Sequence, residues 1–334
     1  MRIAVLGAGS WGTVLAHLLA VKGHRVRLWA YERQVVSAIN AEHRNPLYAT
    51  ELALRDTISA TSDAREAVAD AEMLLFVIPV QFVRSTLKEI YGALSPGIPI
   101  VVCSKGIERG TFATMEQLFL QELSESNRQG YCVLSGPSFA QEVAKGMPTN
   151  VTLASRCPRL AKQVQSMIAT RAFRVYTTDD VTGVEVGGAM KNVIAIAAGA
   201  SDELGFGYNT RAALITRGLA EITRLAVSLN GKPETLLGLS GVGDLFLTCT
   251  SDLSRNRLVG RSLARGRRLA EIQQEMTMVA EGVTTTDSAY QLARARGIDL
   301  PITEQIYQVL YQDKSVPAAM AALQDRALKD EWTV

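Results

Sequence analysis

The chain has 334 residues, of which 47% are hydrophobic, 20% charged and 6% aromatic, and its 35 Lys and Arg against 33 Asp and Glu leave a formal net charge of +2. This composition excludes a mainly disordered protein, and the length exceeds what one core usually supports, so we expect two domains. The near-neutral charge argues against nucleic-acid binding, and the apolar stretches are shorter than the ~20 residues of a membrane span.

Residues 1–180 alternate short β-branched runs with helical patterns. The predicted strands are 2–6, 25–29, 73–78, 98–103, 131–134, 150–154 and 173–176, and the predicted helices are 10–21, 63–69, 80–93, 113–123 and 158–170. This alternation predicts an α/β domain with a doubly wound parallel sheet.

A glycine-rich turn follows the first predicted strand directly. Gly7, Gly9 and Gly12 have the spacing that permits a tight turn, close approach of a pyrophosphate and packing of the next helix, so we expect dinucleotide binding here. Glu32, about 20 residues after Gly12, could bind a ribose 2′-hydroxyl and favour NAD(H), but it lies past the predicted strand. Arg33 could pair with a 2′-phosphate. Alternatively, Glu32 and Arg33 could be an exposed, solvated pair without a role in binding. We expect NADP(H) to be accepted, with NAD(H) also possible.

Two further segments follow predicted strands of the same sheet. Lys105 comes after strand 98–103, at the edge where such sheets bind ligands, although an ordinary surface lysine is the alternative. Gly136 and Ser138 follow strand 131–134 and could offer N–H and hydroxyl groups to a substrate. Ser138 and Gln141 could instead form a helix capping box.

Residues 181–334 show apolar spacing typical of helices and no convincing strand. The predicted helices are 184–199, 210–229, 258–263, 285–296, 301–312 and 316–328. We therefore predict a second, all-α domain over 181–334.

Lys191 lies within the first of these helices, close to two adjacent glycines. Mid-helix glycine costs ~1 kcal/mol relative to alanine, so Gly187 and Gly188 indicate a close approach. A lysine in such a groove would have a lowered pKa and suit a general base. The alternative is a lysine whose charged end reaches solvent at a tight helix contact.

A later segment combines an acidic turn with a basic helix start. Asp244, in a Gly-rich turn, could orient a catalytic amine or cap a helix. Arg255 and Asn256 lie where a helix begins, so N–H, guanidinium and amide groups could converge on a phosphate. An exposed basic helix start is the alternative.

These segments, taken together, carry a family resemblance. They read GAGSWG at 7–12, SKGIE at 104–108, SGPSFAQE at 135–142, GGAMKNVIAIAAG at 187–199, NTRAALITRGLAE at 209–221, GVGDLFLTCTSDLSRNR at 241–257 and PITEQIYQVLY at 301–311. In this order, almost end to end, they resemble the bacterial type of NAD(P)-dependent sn-glycerol-3-phosphate dehydrogenase. The resemblance implies a Rossmann domain followed by a helical domain like that of 6-phosphogluconate dehydrogenase. It also implies interconversion of glycerol 3-phosphate and dihydroxyacetone phosphate for phospholipid synthesis, and a homodimer.

The resemblance further implies roles for individual residues. Lys191 would be the general base, with Lys105 beside the reacting oxygen and Asp244 close to the lysine. Substrate would be bound by these three residues together with Gly136, Ser138, Ser254, Arg255 and Asn256. The cofactor site would comprise Gly7, Gly9, Ser10, Trp11, Gly12, Tyr31, Lys105, Ala140, Arg255, Val279 and Glu281.

Two other functions remain open from the residues. One is a related 3-hydroxyacid dehydrogenase or ketopantoate-type reductase, and the other is a non-catalytic NAD(P)H sensor. The three His residues all lie in the first 43 positions, which disfavours a histidine base in the helical domain. The four separated Cys show no metal-binding spacing and are typical of reduced thiols, so we expect no metal and a cytoplasmic location. The short apolar stretches predict no membrane insertion, and the resemblance implies a small-molecule substrate.

Overall fold

The computed structural model describes residues 1–276, 278–328 and 330–331. The chain forms two compact units: Met1–Ser104 with Met115–Val181, and Lys105–Thr114 with the chain from Thr182 onward. Each unit has its own hydrophobic core. The segment Lys105–Thr114, which lies within the first domain as delimited from the sequence, packs with the second unit, where Ile107 is part of the core.

The first unit contains an eight-stranded sheet. Its strands are β1 (Arg2–Leu6), β2 (Arg25–Trp29), β3 (Ile58–Thr61), β4 (Met73–Phe76), β5 (Ile100–Val102), β6 (Tyr131–Ser135), β7 (Thr149–Ala154) and β8 (Phe173–Thr178). The strand order is β3-β2-β1-β4-β5-β6-β7-β8. The first six strands are parallel in the order found in dinucleotide-binding folds, which confirms the predicted fold class. Strands β6 and β7 form the only antiparallel pair in this sheet.

Eight helices accompany this sheet within the described residues. They are α1 (Ser10–Val21), α2 (Arg33–Glu42), α3 (Ala64–Val68), α4 (Val83–Ile90), α5 (Met115–Glu122), α6 (Glu125–Arg128), α7 (Ala140–Ala144) and α8 (Pro158–Ile168). Strand β3 and helix α2 were not predicted from the sequence. Helix α2 buries only Val35 and Ile39, so its apolar face is too narrow to give a clear helical pattern.

From Thr182 onward, the described residues of the second unit form helices joined by turns and no strand, as predicted. Its helices are α9 (Val181–Glu203), α10 (Tyr208–Ser228), α11 (Pro233–Leu236), α12 (Asp244–Thr250), α13 (Arg255–Ala264), α14 (Leu269–Glu275), α15 (Glu281–Arg296), α16 (Pro301–Tyr311) and α17 (Val316–Gln324). A Cβ at Gly199 would overlap the carbonyl oxygen of Arg257, and one at Gly260 that of Ile196. Helices α9 and α13 therefore pack backbone against backbone, which fixes the start of α13 relative to α9.

Helix α9 is long and apolar enough, by length and composition, to cross a membrane. However, 94% of its most apolar 18-residue window is buried inside the structure. Such burial on all sides is typical of the central helix of a folded core.

Candidate active site

The glycine-rich turn connects β1 to α1 in the first unit. Gly7 has φ +114°, and a Cβ there would overlap the carbonyl of Val77, while one at Gly12 would overlap that of Gly7. No atom lies within 4 Å of the corresponding position at Gly9. Gly7 and Gly12 thus pack tightly against the protein backbone, whereas the space beside Gly9, in front of the N-terminus of α1, is open. A pyrophosphate fits this arrangement of space and backbone N–H groups.

Two side chains of the turn are held by the protein itself. Ser10 Oγ donates a hydrogen bond of 2.7 Å to the carbonyl of Tyr48. The Trp11 ring packs against Phe173, with ring centroids 6.3 Å apart. Tyr31, beyond the end of β2, is 83% exposed. Ser10 and Trp11 therefore shape the turn, whereas the Tyr31 ring is free to meet a ligand.

The turn after β6 differs from one of the two sequence interpretations. The capping residue of α7 is Phe139, without a side-chain cap, and Ser138 Oγ donates to the carbonyl of Gly136 instead. The capping box between Ser138 and Gln141 was therefore wrong, because the helix begins one residue later, at Ala140. Gly136 has φ +133°, which a side chain would strain. Since β1, β2 and β6 run in one direction, this turn lies at the same edge of the sheet as the glycine-rich turn.

A buried cluster of two lysines and one aspartate lies in the second unit. Lys191 Nζ donates to Asp244 Oδ1 at 2.6 Å, and Lys105 Nζ donates to Asp244 Oδ2 at 2.7 Å. The side chains of Asp244 and Lys191 are only 1% and 11% exposed. Asp244 thus holds both lysines in one place, although Lys105 lies 139 residues away in the chain.

Burial and charge set the protonation of this cluster. Burial is the main reason why the pKa of Lys191 is lowered to about 8; the charge of Asp244 opposes this shift, and the charge of Lys105 adds to it. Burial alone would raise the pKa of Asp244, but the charges of Lys105 and Lys191 hold it below its usual value. The cluster therefore contains a permanent carboxylate and an amine that can exchange a proton near neutral pH.

A close helix contact at Gly187 and the hydroxyl of Thr248 position the lysine–aspartate cluster. A Cβ at Gly187 would lie 2.6 Å from the carbonyl oxygen of Ser240, so the turn before α12 comes close to α9, as the paired glycines predicted. Thr248 Oγ1 accepts a hydrogen bond from Lys191 Nζ at 2.9 Å and donates one to the carbonyl of Asp244. Thr248 was not predicted from the sequence, where its only signal is that it follows Asp244 by four residues on one helix face.

A second polar cluster surrounds the start of α13. Ser254 caps this helix by accepting a hydrogen bond from the N–H of Arg257. The Asn256 amide donates to Asn192 Oδ1 and accepts from the N–H of Gly282, both at 2.9 Å. Arg255 donates to the carbonyl of Val279 and remains exposed. Asn192, which the sequence analysis also missed, is adjacent to Lys191, so the helix start and the lysine cluster are close together.

The structure thus gathers the predicted residues into two sets. The second unit unites Lys105, Lys191 and Asp244, and next to them Ser254, Arg255, Asn256, Val279 and Glu281, the first residue of α15. The first unit carries Gly7, Gly9, Ser10, Trp11, Gly12, Tyr31, Gly136, Ser138 and Ala140 at the carboxyl edge of its sheet. Among the described residues, no group of His, Cys, Asp and Glu could hold a metal ion.

Comparison with known proteins gives one consistent family. Residues 2–161 match the N-terminal and residues 180–321 the C-terminal family model of NAD-dependent glycerol-3-phosphate dehydrogenase. A Geobacter sulfurreducens protein named glycerol-3-phosphate dehydrogenase (NAD(P)+) is 52% identical over 99% of this chain and 98% of its own. A crystal structure of glycerol-3-phosphate dehydrogenase from Coxiella burnetii is 39% identical, with a TM-score of 0.92 over 97% of this chain and 99% of that chain. The chain therefore belongs to the NAD-dependent glycerol-3-phosphate dehydrogenase family, as its motifs indicated.

Proposed function

We propose that this chain reversibly oxidises sn-glycerol 3-phosphate to dihydroxyacetone phosphate with NAD(P)+, using Lys191 as the general base. The observation that carries the proposal is the buried Lys105–Asp244–Lys191 cluster, in a chain that matches the family over nearly its whole length. The bound nicotinamide cofactor would accept the hydride in one direction and supply it in the other.

Lys191 would move the proton that accompanies the hydride. In oxidation, the hydroxyl on the central carbon loses its proton to the neutral amine of Lys191 while the C–H hydride leaves. In reduction, the Lys191 ammonium returns that proton to the carbonyl oxygen. With its pKa lowered to about 8, about a tenth of the amine is neutral at pH 7. The ammonium that reduction needs is therefore the main form near neutrality.

Asp244 and Lys105 would support this transfer. Asp244 binds both Nζ atoms and so fixes the direction of the Lys191 amine. The Lys105 ammonium would stabilise the negative charge that grows on the substrate oxygen. Thr248 bonds both Asp244 and Lys191, and so limits their movement.

The start of α13 would hold the phosphate of the substrate. Backbone N–H groups at a helix start attract anions, and the exposed Arg255 guanidinium adds a charge-assisted contact. Ser254 and Asn256 are already bonded to the protein and would give the site its shape. Gly136 and Ser138 would contribute substrate contacts from the first unit. Binding the remote phosphate would also orient the reacting carbon.

The cofactor would lie on the glycine-rich turn. Gly7, Gly9 and Gly12 would admit the pyrophosphate, with Ser10 and Trp11 lining the turn. Tyr31 and Ala140 would add contacts from the first unit. Lys105, Arg255, Val279 and Glu281 would add them from the second unit.

Oxidation of NADH and NADPH by dihydroxyacetone phosphate tests the proposed function directly. We expect rapid loss of nicotinamide absorbance with the phosphorylated ketone and little with dihydroxyacetone, because only the former engages Arg255 and the start of α13. Turnover of 2-oxo or 3-oxo acids instead would indicate the related reductases. Cofactor binding without any turnover would indicate a sensor.

Three broader properties also belong to this proposal. The product glycerol 3-phosphate would supply phospholipid synthesis, and the enzyme would act in the cytoplasm. It would associate as a homodimer through its helical unit. Light scattering on the purified protein measures that last property.

A further inference from the structure

The segment that carries Lys105 is held on the helical unit by contacts of its own. Residues Lys105–Thr114 belong to the second unit, although the chain before and after them belongs to the first. Lys105 pairs with Asp244 at 2.7 Å. Ile107, two residues later, is 1% exposed and is part of the core of the second unit. The Lys105 segment, Lys105–Thr114, is therefore fixed by more than the ion pair of its first residue.

The Lys105 segment closes into a compact loop. The N–H of Glu108 donates to the carbonyl of Ala113 at 3.0 Å, and the N–H of Phe112 donates to the carbonyl of Glu108 at 3.1 Å. The buried Glu108 carboxylate also accepts a hydrogen bond from the Thr111 hydroxyl. Phe112 has φ +59°, which a bulky residue rarely adopts, and its side chain packs against the core of the second unit. Such a backbone conformation persists only where its surroundings hold it, so the loop has one defined shape.

Arg109, within this loop, binds helix α15. Its Nε donates to Asp287 Oδ2 at 2.8 Å, and this hydrogen bond raises the pKa of Arg109 above its ordinary value. The side chain of Asp287 is only 16% exposed, whereas that of Arg109 is 57% exposed. Because the carboxylate is largely removed from water, salt screens this ion pair less than one that is exposed on both sides. The ion pair therefore restrains the loop from the side of α15.

Helix α16 fixes the part of α15 that Arg109 binds. The Tyr311 hydroxyl donates to the carbonyl of Val283, one turn before Asp287 in α15, at 2.9 Å. The rings of Tyr307 and Tyr311 pack together, with centroids 5.3 Å apart. Burial raises the pKa of Tyr311 to about 12, the Asp287 carboxylate adds to the rise, and Arg109 opposes it. These three groups thus lie within range of one another's charge, on a surface that two helices build.

We infer that Arg109, bound to Asp287, is a positioning residue that keeps Lys105 in place for the reaction. The inference rests on the proposed function, in which the Lys105 ammonium stabilises the substrate oxygen. Lys105 and Arg109 are four residues apart in a loop of fixed shape, so a loop released at Arg109 has fewer restraints to keep Lys105 beside Asp244. The charge of Lys105 also helps to lower the pKa of Lys191. A displaced Lys105 therefore changes both the rate and the pH at which the proposed base titrates.

Hydrogen exchange of the backbone amides of residues 105–114, measured by mass spectrometry, tests the restraint itself. We expect exchange to become about fivefold faster in Arg109→Gln, the equivalent of the ~1 kcal/mol at the upper end for a partly exposed ion pair. Asp287→Asn should have the same effect. The double variant should exchange no faster than either single one, because each change removes the same bond. Unchanged exchange in Arg109→Gln would overturn the inference.

The pH dependence of kcat for oxidation of glycerol 3-phosphate tests the effect on Lys105. Lys105→Met is the reference variant, with a lower kcat and an inflection at higher pH, since its charge no longer acts on Lys191. Arg109→Gln should lower kcat about fivefold and move the inflection in the same direction. Arg109→Lys keeps a cation near Asp287 and should restore much of both. A lower kcat with an unmoved inflection would show that Arg109 only supports the fold.

A matched control and two outcomes separate this inference from the proposed function. Arg267→Gln breaks another partly exposed ion pair of the second unit, with Glu275 at 2.6 Å, and should change neither exchange of residues 105–114 nor the kinetics. If Arg109→Gln loosens the loop but the unaltered protein does not reduce dihydroxyacetone phosphate, the proposed function fails and the restraint on the loop stands. If the ketone is reduced and Lys105→Met loses activity, while Arg109→Gln has unaltered kinetics, the inference fails and the proposed function stands.

Discussion

Replacing Asp244 by Asn removes the charge that joins the two lysines and keeps the size of the side chain. The carboxylate lies 2.6 Å from Lys191 Nζ and opposes the burial that lowers the pKa of that lysine to about 8. An opposite charge this close usually raises the pKa of an amine by ~1–3, so the pKa of Lys191 should fall by a similar amount without it. Oxidation of glycerol 3-phosphate needs the neutral amine. Its rate should therefore reach a plateau at lower pH in the variant than in the unaltered enzyme.

The assay is kcat for NAD(P)+ reduction by glycerol 3-phosphate across the range from about pH 5 to 10. Loss of one partner from a buried ion pair costs ~3–5 kcal/mol, so the assay temperature must lie well below the measured Tm. Asp252→Asn is the matched control, because this aspartate is 79% exposed and pairs with Arg257 away from the lysines. An inflection that stays near 8 or rises in Asp244→Asn would show that Lys191 is not the group that titrates.

Three further perturbations test other parts of the reasoning. Lys191→Ala should lower kcat by ~1,000-fold while the dissociation constant of the cofactor changes little, and near-normal turnover would exclude Lys191 as the base. Arg255→Ala should raise KM for dihydroxyacetone phosphate by about 30-fold, and unchanged kinetics would place the phosphate elsewhere. Burial raises the pKa of Glu221 to about 7 from its ordinary 4.5, so the folded state holds the extra proton between these values and stability falls as pH rises through them. Glu221→Gln should remove about 3 kcal/mol of that dependence in urea unfolding between these pH values, whereas a parallel pH dependence in both proteins would contradict the assignment.

The parts of the fold that were predictable are those with a strong local signal. Helix α1 (Ser10–Val21) has the predicted bounds, since the strand before it and the glycines at its start restrict where it can begin. Strand β3 (Ile58–Thr61) was missed because it is short and lacks the continuous apolar run that marks β4 and β5. Its place is set by pairing with β2, which is a tertiary contact.

The sequence could single out individual members of the lysine cluster, but it could not show their arrangement. Lys191 and Asp244 stood out through neighbouring glycines, yet no local pattern could show that one carboxylate bonds both Lys191 and Lys105, because the contact spans 139 residues in the case of Lys105. Thr248 and Asn192 were missed since a Thr or an Asn within a helix is unremarkable until its neighbours in space are known. The Ser138 capping box failed for the same reason, because a shift of one residue in the helix start changes the role of the hydroxyl.

The charges of the lysine cluster also explain why the proposed reaction needs all three groups. Two ammonium groups and one carboxylate carry a net charge of +1, which suits a substrate oxygen that gains negative charge as it loses its proton. Without Asp244, two cations would share a buried site, and mutual repulsion would deprotonate one of them before substrate binds. Without Lys105, the pKa of Lys191 would be higher, because no second cation would oppose Asp244, and less of the amine would be neutral near pH 7. The pKa of about 8 is thus mainly the balance of burial, the attraction of Asp244 and the repulsion of Lys105, and the two charges can each be removed by a single substitution.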